Sequence, residues 1–341
     1  MSPFSRVPRT VSASCKPTGV VNVGAWPGDD RTSSPAIRLL RAVRVVRRGL
    51  AILAWTGVAC AIQSVLLLLP GRAKARFARV YWSVTCVLLG MRIRVIRPSA
   101  PSETSARPII YVSNHSSWID VPVLGARVLG CFVAKEDVSR WPVVGTVARL
   151  GRTIFVSRQR KATGRERDDM RLRLAGGDNL ILFPEGTSSD GTRVLPFLSS
   201  FFAAAKPSNG VNGLPDTAPG CRPLVQPVSV VYDRLAGLPV GNARRAVFAW
   251  YGDMDLASHF WQLAQWRTMR ASIVLHPALD PADFPTRKAL AQATWEAVSM
   301  GAGELRQNRP VTGAMRVPEI PQRLAGSALE TSLDNPAPSF A

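Results

Sequence analysis

The 341-residue sequence predicts an α/β domain carried on an N-terminal helical membrane anchor, and three observations lead there. Gly49–Leu69 is an uncharged, almost wholly apolar run between two basic stretches. From Ile93 onward, short β-rich runs alternate with amphipathic stretches, the pattern of an α/β fold. Both ends of the chain are rich in Ser, Pro and Gly and show no apolar period.

Taken in order, residues 1–35 read as a disordered tail. The arginines Arg38, Arg41, Arg44, Arg47 and Arg48 lead into Gly49–Leu69, which is long enough to cross a bilayer; a buried core helix is the alternative. Arg72, Lys74, Arg76 and Arg79 follow at once, and a second apolar patch spans Val80–Gly90. Because both flanks are basic, a hairpin that returns to the cytoplasmic side fits the charge pattern. A cleaved signal peptide fits poorly, since Leu69-Pro70-Gly71-Arg72 is not a small-residue cleavage site.

Strands are predicted at Ile93–Ile96, Pro108–Val112, Cys131–Ala134, Thr153–Ser157, Leu180–Phe183, Val225–Val231, Ala246–Trp250 and Ala271–His276. Helices are predicted at Trp118–Leu129, Pro142–Leu150, Arg165–Ala175, Pro196–Ala205 and Thr286–Gln307, the last just after Pro285. Pro207–Arg222 reads as an exposed loop. The resulting layout is a tail to residue 35, anchoring helices over 36–91, an α/β domain over 92–309 and a second disordered tail over 310–341.

Composition narrows the function. With 43 Lys+Arg against 23 Asp+Glu, the formal charge of +20 calls for a polyanionic neighbour: nucleic acid, an anionic membrane or an acidic carrier protein. No nucleic-acid module is recognisable. Cys15, Cys60, Cys86, Cys131 and Cys221 are scattered, with no C-x-x-C pair, so neither a disulfide framework nor a zinc site is indicated and a reducing, cytosol-facing setting fits. G-x-S-x-G, P-loop and G-x-G-x-x-G motifs are all absent from the sequence, which removes the main support for a serine hydrolase, a P-loop nucleotidase or a Rossmann dehydrogenase.

Three histidines exist, His115, His259 and His276. His115 follows the apolar run Ile109–Val112 and precedes a helix, a junction where α/β folds often place chemistry. Asp120 lies five residues on, within reach of the imidazole. It would fix the tautomer and stabilise the imidazolium while the other ring nitrogen takes a proton from an attacking hydroxyl. The same Ser117-x-x-Asp120 spacing also fits a capping box. Phe183-Pro184-Glu185-Gly186-Thr187 presents a carboxylate on a Pro/Gly turn, able to orient a hydroxyl-bearing acceptor or the loop that binds it, and equally readable as an ordinary turn. Gly151–Arg158 is a strand ending in an arginine that suits phosphate or carboxylate, or one more solvated arginine. His259 and His276 read as structural; a metal site from His259, Asp253 and Asp255 has no supporting spacing.

Together NHSSWID, GRTIFVSR, FPEGT and VQPVSVVY stand in the order and rough spacing of the four motifs of the lysophospholipid acyltransferase family, and the chain resembles that family over about Ile93–His276. The resemblance implies a glycerolipid acyltransferase-like mixed sheet flanked by helices, with a membrane element before it. It makes His115 the catalytic base and Asp120 its partner, with the lysolipid hydroxyl attacking the acyl thioester directly. Asn114 falls among the substrate-binding positions. Arg158 and Glu185 would engage the acceptor head group, Gly186 and Thr187 would shape that turn, and Gly151, Phe155 and Pro227 would shape the acyl pocket.

By the same resemblance the donor is acyl-CoA or acyl carrier protein, a co-substrate rather than a cofactor, and no metal is required. The partners are a lysolipid acceptor and an anionic membrane, with no nucleic acid, and the location is the inner membrane with the site facing the cytoplasm. The expected acceptor is 1-acyl-sn-glycerol-3-phosphate, giving phosphatidate for phospholipid biosynthesis. One departure bears on it: Thr187 is followed by Ser188, Ser189, Asp190 and Gly191, where phosphatidate-forming relatives often carry a cation. Arg152, Arg158 or Arg193 could supply that charge, and lyso-ornithine lipid is the alternative acceptor. A lipid hydrolase or a non-enzymatic basic membrane protein ranks lower. Backbone donors near Ser116 and Ser117 are expected to stabilise the oxyanion.

Overall fold

The computed structural model of the protein describes residues 34–97, 107–156, 163–206 and 222–311. Most of both expected disordered tails, most of the Pro207–Arg222 loop, Ser157 and Arg158 therefore lie outside the described residues. The chain divides into two compact units, Met1–Val43 and Arg44–Ala341. Of the first, only residues 34–43 are described, as the opening turns of helix α1 (Pro35–Leu68). The division falls within α1.

α1 is 34 residues long, about 51 Å at 1.5 Å per residue, and is the one described helix long and apolar enough to cross a membrane. Leu50, Leu53, Val58, Val65 and Leu68 stand exposed along it, an apolar surface of the kind that a membrane covers. Helix α2 (Ala73–Leu89) follows and ends at Gly90, whose φ of +80° only glycine adopts easily. A Cβ there would also lie 2.2 Å from Arg48 Nη2. That guanidinium passes over Gly90 to the carbonyls of Ala264 (3.0 Å), Trp266 (2.6 Å) and Arg267 (2.9 Å), which clamps the anchor to the domain.

The sheet runs β1 (Met91–Ile96), β8 (Met269–Leu275), β6 (Leu224–Leu235), β2 (Ile109–Ser113), β5 (Leu180–Leu182), β3 (Cys131–Lys135), β4 (Ile154–Val156), and a short β7 (Leu238–Pro239) pairs with β6. β8 and β7 are antiparallel to β6; the other pairings are parallel, which makes the sheet mixed. The central strands are buried on both faces, which is why Leu180-Ile181-Leu182 is continuously apolar. Helix α3 (Asp120–Gly125) opens beyond β2, α4 (Val144–Leu150) precedes β4, and α5 (Thr163–Ala175) precedes β5. The short α6 (Asn242–Arg245), α7 (Leu256–Ala264) and the long α8 (Arg287–Arg306) complete the fold. α7 and α8 are capped by Asp255 and Thr286, whose side chains accept from Ser258 N and Ala289 N.

Three expected elements differ. The helix expected over Trp118–Leu129 is only α3, which ends at Gly125, where the chain packs against Trp82 so closely that a Cβ would meet its ring at 2.3 Å. Pro196–Ala205 forms a 3-10 turn over Ser199–Ala203, held back to the chain by Leu198 N donating to Pro184 O. Ala246–Trp250 is not a strand. β6 already has β8 and β2 beside it, so the buried run Val247-Phe248-Ala249 cannot pair with it and Phe248 stacks on Tyr232 instead, centroids 4.8 Å apart.

His276 follows β8 inside the core, where its Nε2–H donates to Ser229 Oγ (2.8 Å) while Ser229 donates to Val298 O. Gly301 of α8 makes room for the ring, since a Cβ would lie 2.5 Å from His276 Cε1. Burial pushes this imidazole down to about 4. The unfolded chain titrates near 6.5, so between those values it binds more protons than the folded protein. Stability is therefore complete above about pH 6.5 and falls toward about pH 4, by up to roughly 1.4 kcal/mol per pH unit for this one site. Buried His259 acts in the same direction. Denaturant unfolding in detergent at a series of pH values should show this slope and a shallower one in His276→Gln; identical slopes in the two proteins would refute the assignment.

Candidate active site

His115 stands just beyond β2, at the carboxyl ends of the parallel strands, where open α/β sheets place their sites. Its backbone is gripped from both sides by the loop that follows β5. Glu185 Oε1 accepts from His115 N (2.8 Å), and Ser189 donates to His115 O from both its N (2.9 Å) and its Oγ (3.1 Å). The ring stacks on Phe183, centroids 4.3 Å apart. The residue before it, Asn114, extends the pairing of β2 with β6: its Nδ2 donates to Val230 O (2.9 Å) and its Oδ1 accepts from Val230 N (2.8 Å).

The side chains of His115 and Asp120 meet, with Nδ1 2.9 Å from Oδ2. That oxygen also accepts from Ser116 N (2.7 Å) and Ser117 N (2.9 Å), and Oδ1 accepts from Tyr232 OH. Asp120 is completely buried, whereas the His115 side chain keeps 20% of its surface exposed. Its Nε2 has no hydrogen-bond partner among the described residues. Capping and orientation of the imidazole are thus one arrangement: the first turn of α3 and the histidine share a carboxylate. A base whose Nδ1–H is held and whose Nε2 lone pair faces outward is arranged to take a proton.

Several expected site residues stand elsewhere. The Ser116 and Ser117 N–H groups are engaged by Asp120, which contradicts the expectation that they serve an oxyanion. Asn114 is buried with both ends of its amide on Val230, so its side chain positions the loop. Glu185 is likewise buried, with Oε2 accepting from Leu195 N (3.1 Å), so neither oxygen points to an acceptor. Burial, opposed by the His115 and Leu195 N–H groups, pushes its carboxyl up to about 8. Arg152 cannot supply the missing cation, because its guanidinium is paired two-pronged with Asp178. Arg158 lies outside the described residues, and Arg193 is exposed.

Gly186 (φ +71°) forms the turn after Glu185, where a Cβ would approach Leu198 Cδ1 to 3.1 Å, and Thr187 is exposed beside it. Pro227 lies on β6 opposite Val112 of β2, close behind the site. Phe155 is half-buried on β4, three strands from β2. Gly151 closes α4 and lines a mainly apolar groove of about 330 Å³, part of it open to solvent, with Ala59, Phe77, Tyr81, Trp82 and Leu150. From Trp82 a run of rings leads through Phe132 and Phe183 to His115, at successive centroid distances of 6.4, 6.3 and 4.3 Å.

His259 takes part indirectly: its Nδ1 accepts from Trp118 Nε1 (2.9 Å) and its Nε2 donates to Val247 O (3.1 Å), which occupies both nitrogens and rules out the metal site considered with Asp253 and Asp255. Sequence reasoning missed Ser189 and Tyr232, although Tyr232 closes the motif VQPVSVVY. It also missed Arg245 and Arg306, whose basic side chains carry no local signature.

The fold and this histidine–aspartate pair define an acyltransferase, and comparison agrees: the family model described as Acyltransferase matches residues 94–231. The chain is 31% identical over 300 residues to the lyso-ornithine lipid O-acyltransferase of Rhizobium meliloti (strain 1021), covering 85% of this chain and 99% of that one. It is 24% identical over 214 residues to the 1-acyl-sn-glycerol-3-phosphate acyltransferase of Neisseria gonorrhoeae, 62% of this chain and 74% of the relative. The crystal structure of the 1-acyl-sn-glycerophosphate (LPA) acyltransferase PlsC from Thermotoga maritima superposes with a TM-score of 0.54 at 20% identity, over 81% of this chain and 99% of that one. The chain belongs to the lysophospholipid acyltransferase family.

Proposed function

We propose that the protein transfers a fatty acyl group from a thioester to the hydroxyl of lyso-ornithine lipid, with His115 as the general base. The observation that carries the chemistry is the imidazole of His115, held at Nδ1 by Asp120 and without a partner at Nε2. Nε2 takes the hydroxyl proton as the oxygen attacks the thioester carbonyl; the C–S bond then breaks and the imidazolium returns the proton to the departing thiolate. No acyl-enzyme forms. The donor is acyl-CoA or acyl carrier protein, for which the charge of +20 is favourable. The apolar groove at Gly151 and the aromatic run from Trp82 to His115 support a place for the acyl chain there. Thr187 and Gly186 border the acceptor, and Pro227 supports the strand behind it.

The choice of acceptor rests on the near full-length match to the Rhizobium meliloti enzyme and on Ser188-Ser189-Asp190, which stand where a phosphate-binding cation is expected. A second reading, 1-acyl-sn-glycerol-3-phosphate as acceptor, keeps support from the Neisseria gonorrhoeae relative. The helix α1 anchors the enzyme to the inner membrane, with the site on the cytoplasmic side, where basic flanks meet anionic lipid.

Membranes containing the protein, supplied with a labelled acyl thioester and each lysolipid separately, decide between these. Doubly acylated ornithine lipid is the expected product. Phosphatidate alone would establish the second reading, and free fatty acid alone would make the protein a hydrolase.

A further inference from the structure

A second cleft adjoins the His115 loop at Asn114 and Ser116. It encloses about 310 Å³, part of it open to solvent, and is lined by Ser116 and Gly191 on one side and by Tyr232, Arg245, Phe248 and Arg306 on the other. Arg245 ends α6 and Arg306 ends α8, and neither belongs to any of the four motifs. Arg245 is fixed by donating to Arg306 O (2.7 Å) and to Asn242 Oδ1 (3.3 Å). The Nε of Arg306 is buried without a hydrogen-bond partner, and among the described residues neither guanidinium forms an ion pair. Burial and the neighbouring Arg245 push Arg306 down to about 10, in keeping with two cations lining one cleft.

Such a pair is unfavourable unless an anion balances it. Guanidinium groups side by side suit a planar carboxylate. The loop across the cleft brings the opposite charge: exposed Asp190 stands next to the lining Gly191 and lies within electrostatic range of Arg306. Glu185 is also within electrostatic range of Arg306 but is buried on the His115 and Leu195 N–H groups, so the groups left to meet a ligand are two cations and one anion, which match a zwitterion better than a phosphomonoester.

We propose that Arg245 and Arg306 receive the carboxylate of an α-amino-acid head group on the lipid acceptor, with Asp190 facing its side-chain ammonium. The inference rests on the lyso-ornithine reading, since ornithine joined to its acyl chain through the α-nitrogen leaves those two groups. It also assigns the selection of head group to C-terminal elements and not to the third motif.

The test uses the full-length protein in membranes and three acceptors: lyso-ornithine lipid, its carboxamide analogue and the analogue acetylated on the side-chain amine. For the wild type, the carboxamide should raise KM by about 10- to 100-fold with kcat little changed. Arg306→Gln should raise KM for lyso-ornithine lipid similarly and show no further loss with the carboxamide; Arg306→Lys should recover part of it. Asp190→Asn should be indifferent to acetylation of the amine. Equal KM for the natural and carboxamide lipids in the wild type would overturn the proposal even if no variant folds, while leaving the acceptor reading intact. If the arginine variants instead raise KM for the donor alone, the cleft holds a donor phosphate and the proposal fails. No acylation of lyso-ornithine lipid by the wild type removes the acceptor reading, and the proposal with it.

Discussion

His115→Ala is expected to lower acyl transfer by about 10²- to 10⁴-fold while leaving the fold in place. The size follows from the mechanism, in which this imidazole both removes the hydroxyl proton and returns it to the leaving thiolate, so one substitution takes away base and acid together. Retention of the fold follows from the contacts. The loop is held through the His115 backbone by Glu185 and Ser189, and through Asn114 by Val230, none of which uses the ring. The ring itself contributes the stack on Phe183 and the bond to Asp120, whose remaining acceptor positions are still filled by Ser116, Ser117 and Tyr232. The measurement is the rate of doubly acylated lipid formation in membranes at matched protein level, with thermal unfolding of both proteins beside it. A variant within about threefold of the wild type would show that the chemistry lies elsewhere.

What could be read from the sequence is what is local. His115 and Asp120 are five residues apart across a strand end and a helix start, so their meeting depends on one turn of chain, and the spacing shows it. Glu185 and Ser189 reach His115 from 70 and 74 residues away. Their residue types were visible, but the target of the Glu185 carboxyl was not, and a buried structural carboxyl reads the same in sequence as one presented to a ligand. Asn114 is a similar case: a polar residue beside a catalytic candidate suggests binding, and only the register of β2 against β6 shows that its amide completes that pairing. The run Ala246–Trp250 has the composition of a strand, and what denies it that structure is the occupancy of both edges of β6, a property of topology and not of composition. Arg245 and Arg306 are 61 residues apart on two helices, and nothing in either neighbourhood marks them as a pair.

The strongest coupling in the site runs through Asp120. Four donors converge on it, three on Oδ2 and the Tyr232 hydroxyl on Oδ1. Tyr232 is fully buried, and that burial, together with the neighbouring Asp120, holds its hydroxyl well above the usual phenol range, so it remains a donor. In Asp120→Asn the amide oxygen must face the three donors on the Oδ2 side, since an NH2 there would oppose all of them. The NH2 then meets Tyr232, whose hydroxyl has to turn and accept. The variant folds, but the charge that stabilises the imidazolium is gone, and kcat is expected to fall by about 10²- to 10⁴-fold. Tyr232→Phe leaves Oδ1 buried without a donor, at a cost of about 1–3 kcal/mol in stability, and is expected to slow transfer by about tenfold through misplacement of the carboxylate. Because the tyrosine hydroxyl reaches His115 through Asp120, the second effect on kcat should vanish in the Asp120→Asn background. A double-mutant cycle on kcat checks this. Additive losses would mean that Tyr232 acts on the substrate directly and that Asp120 does not transmit its influence to His115.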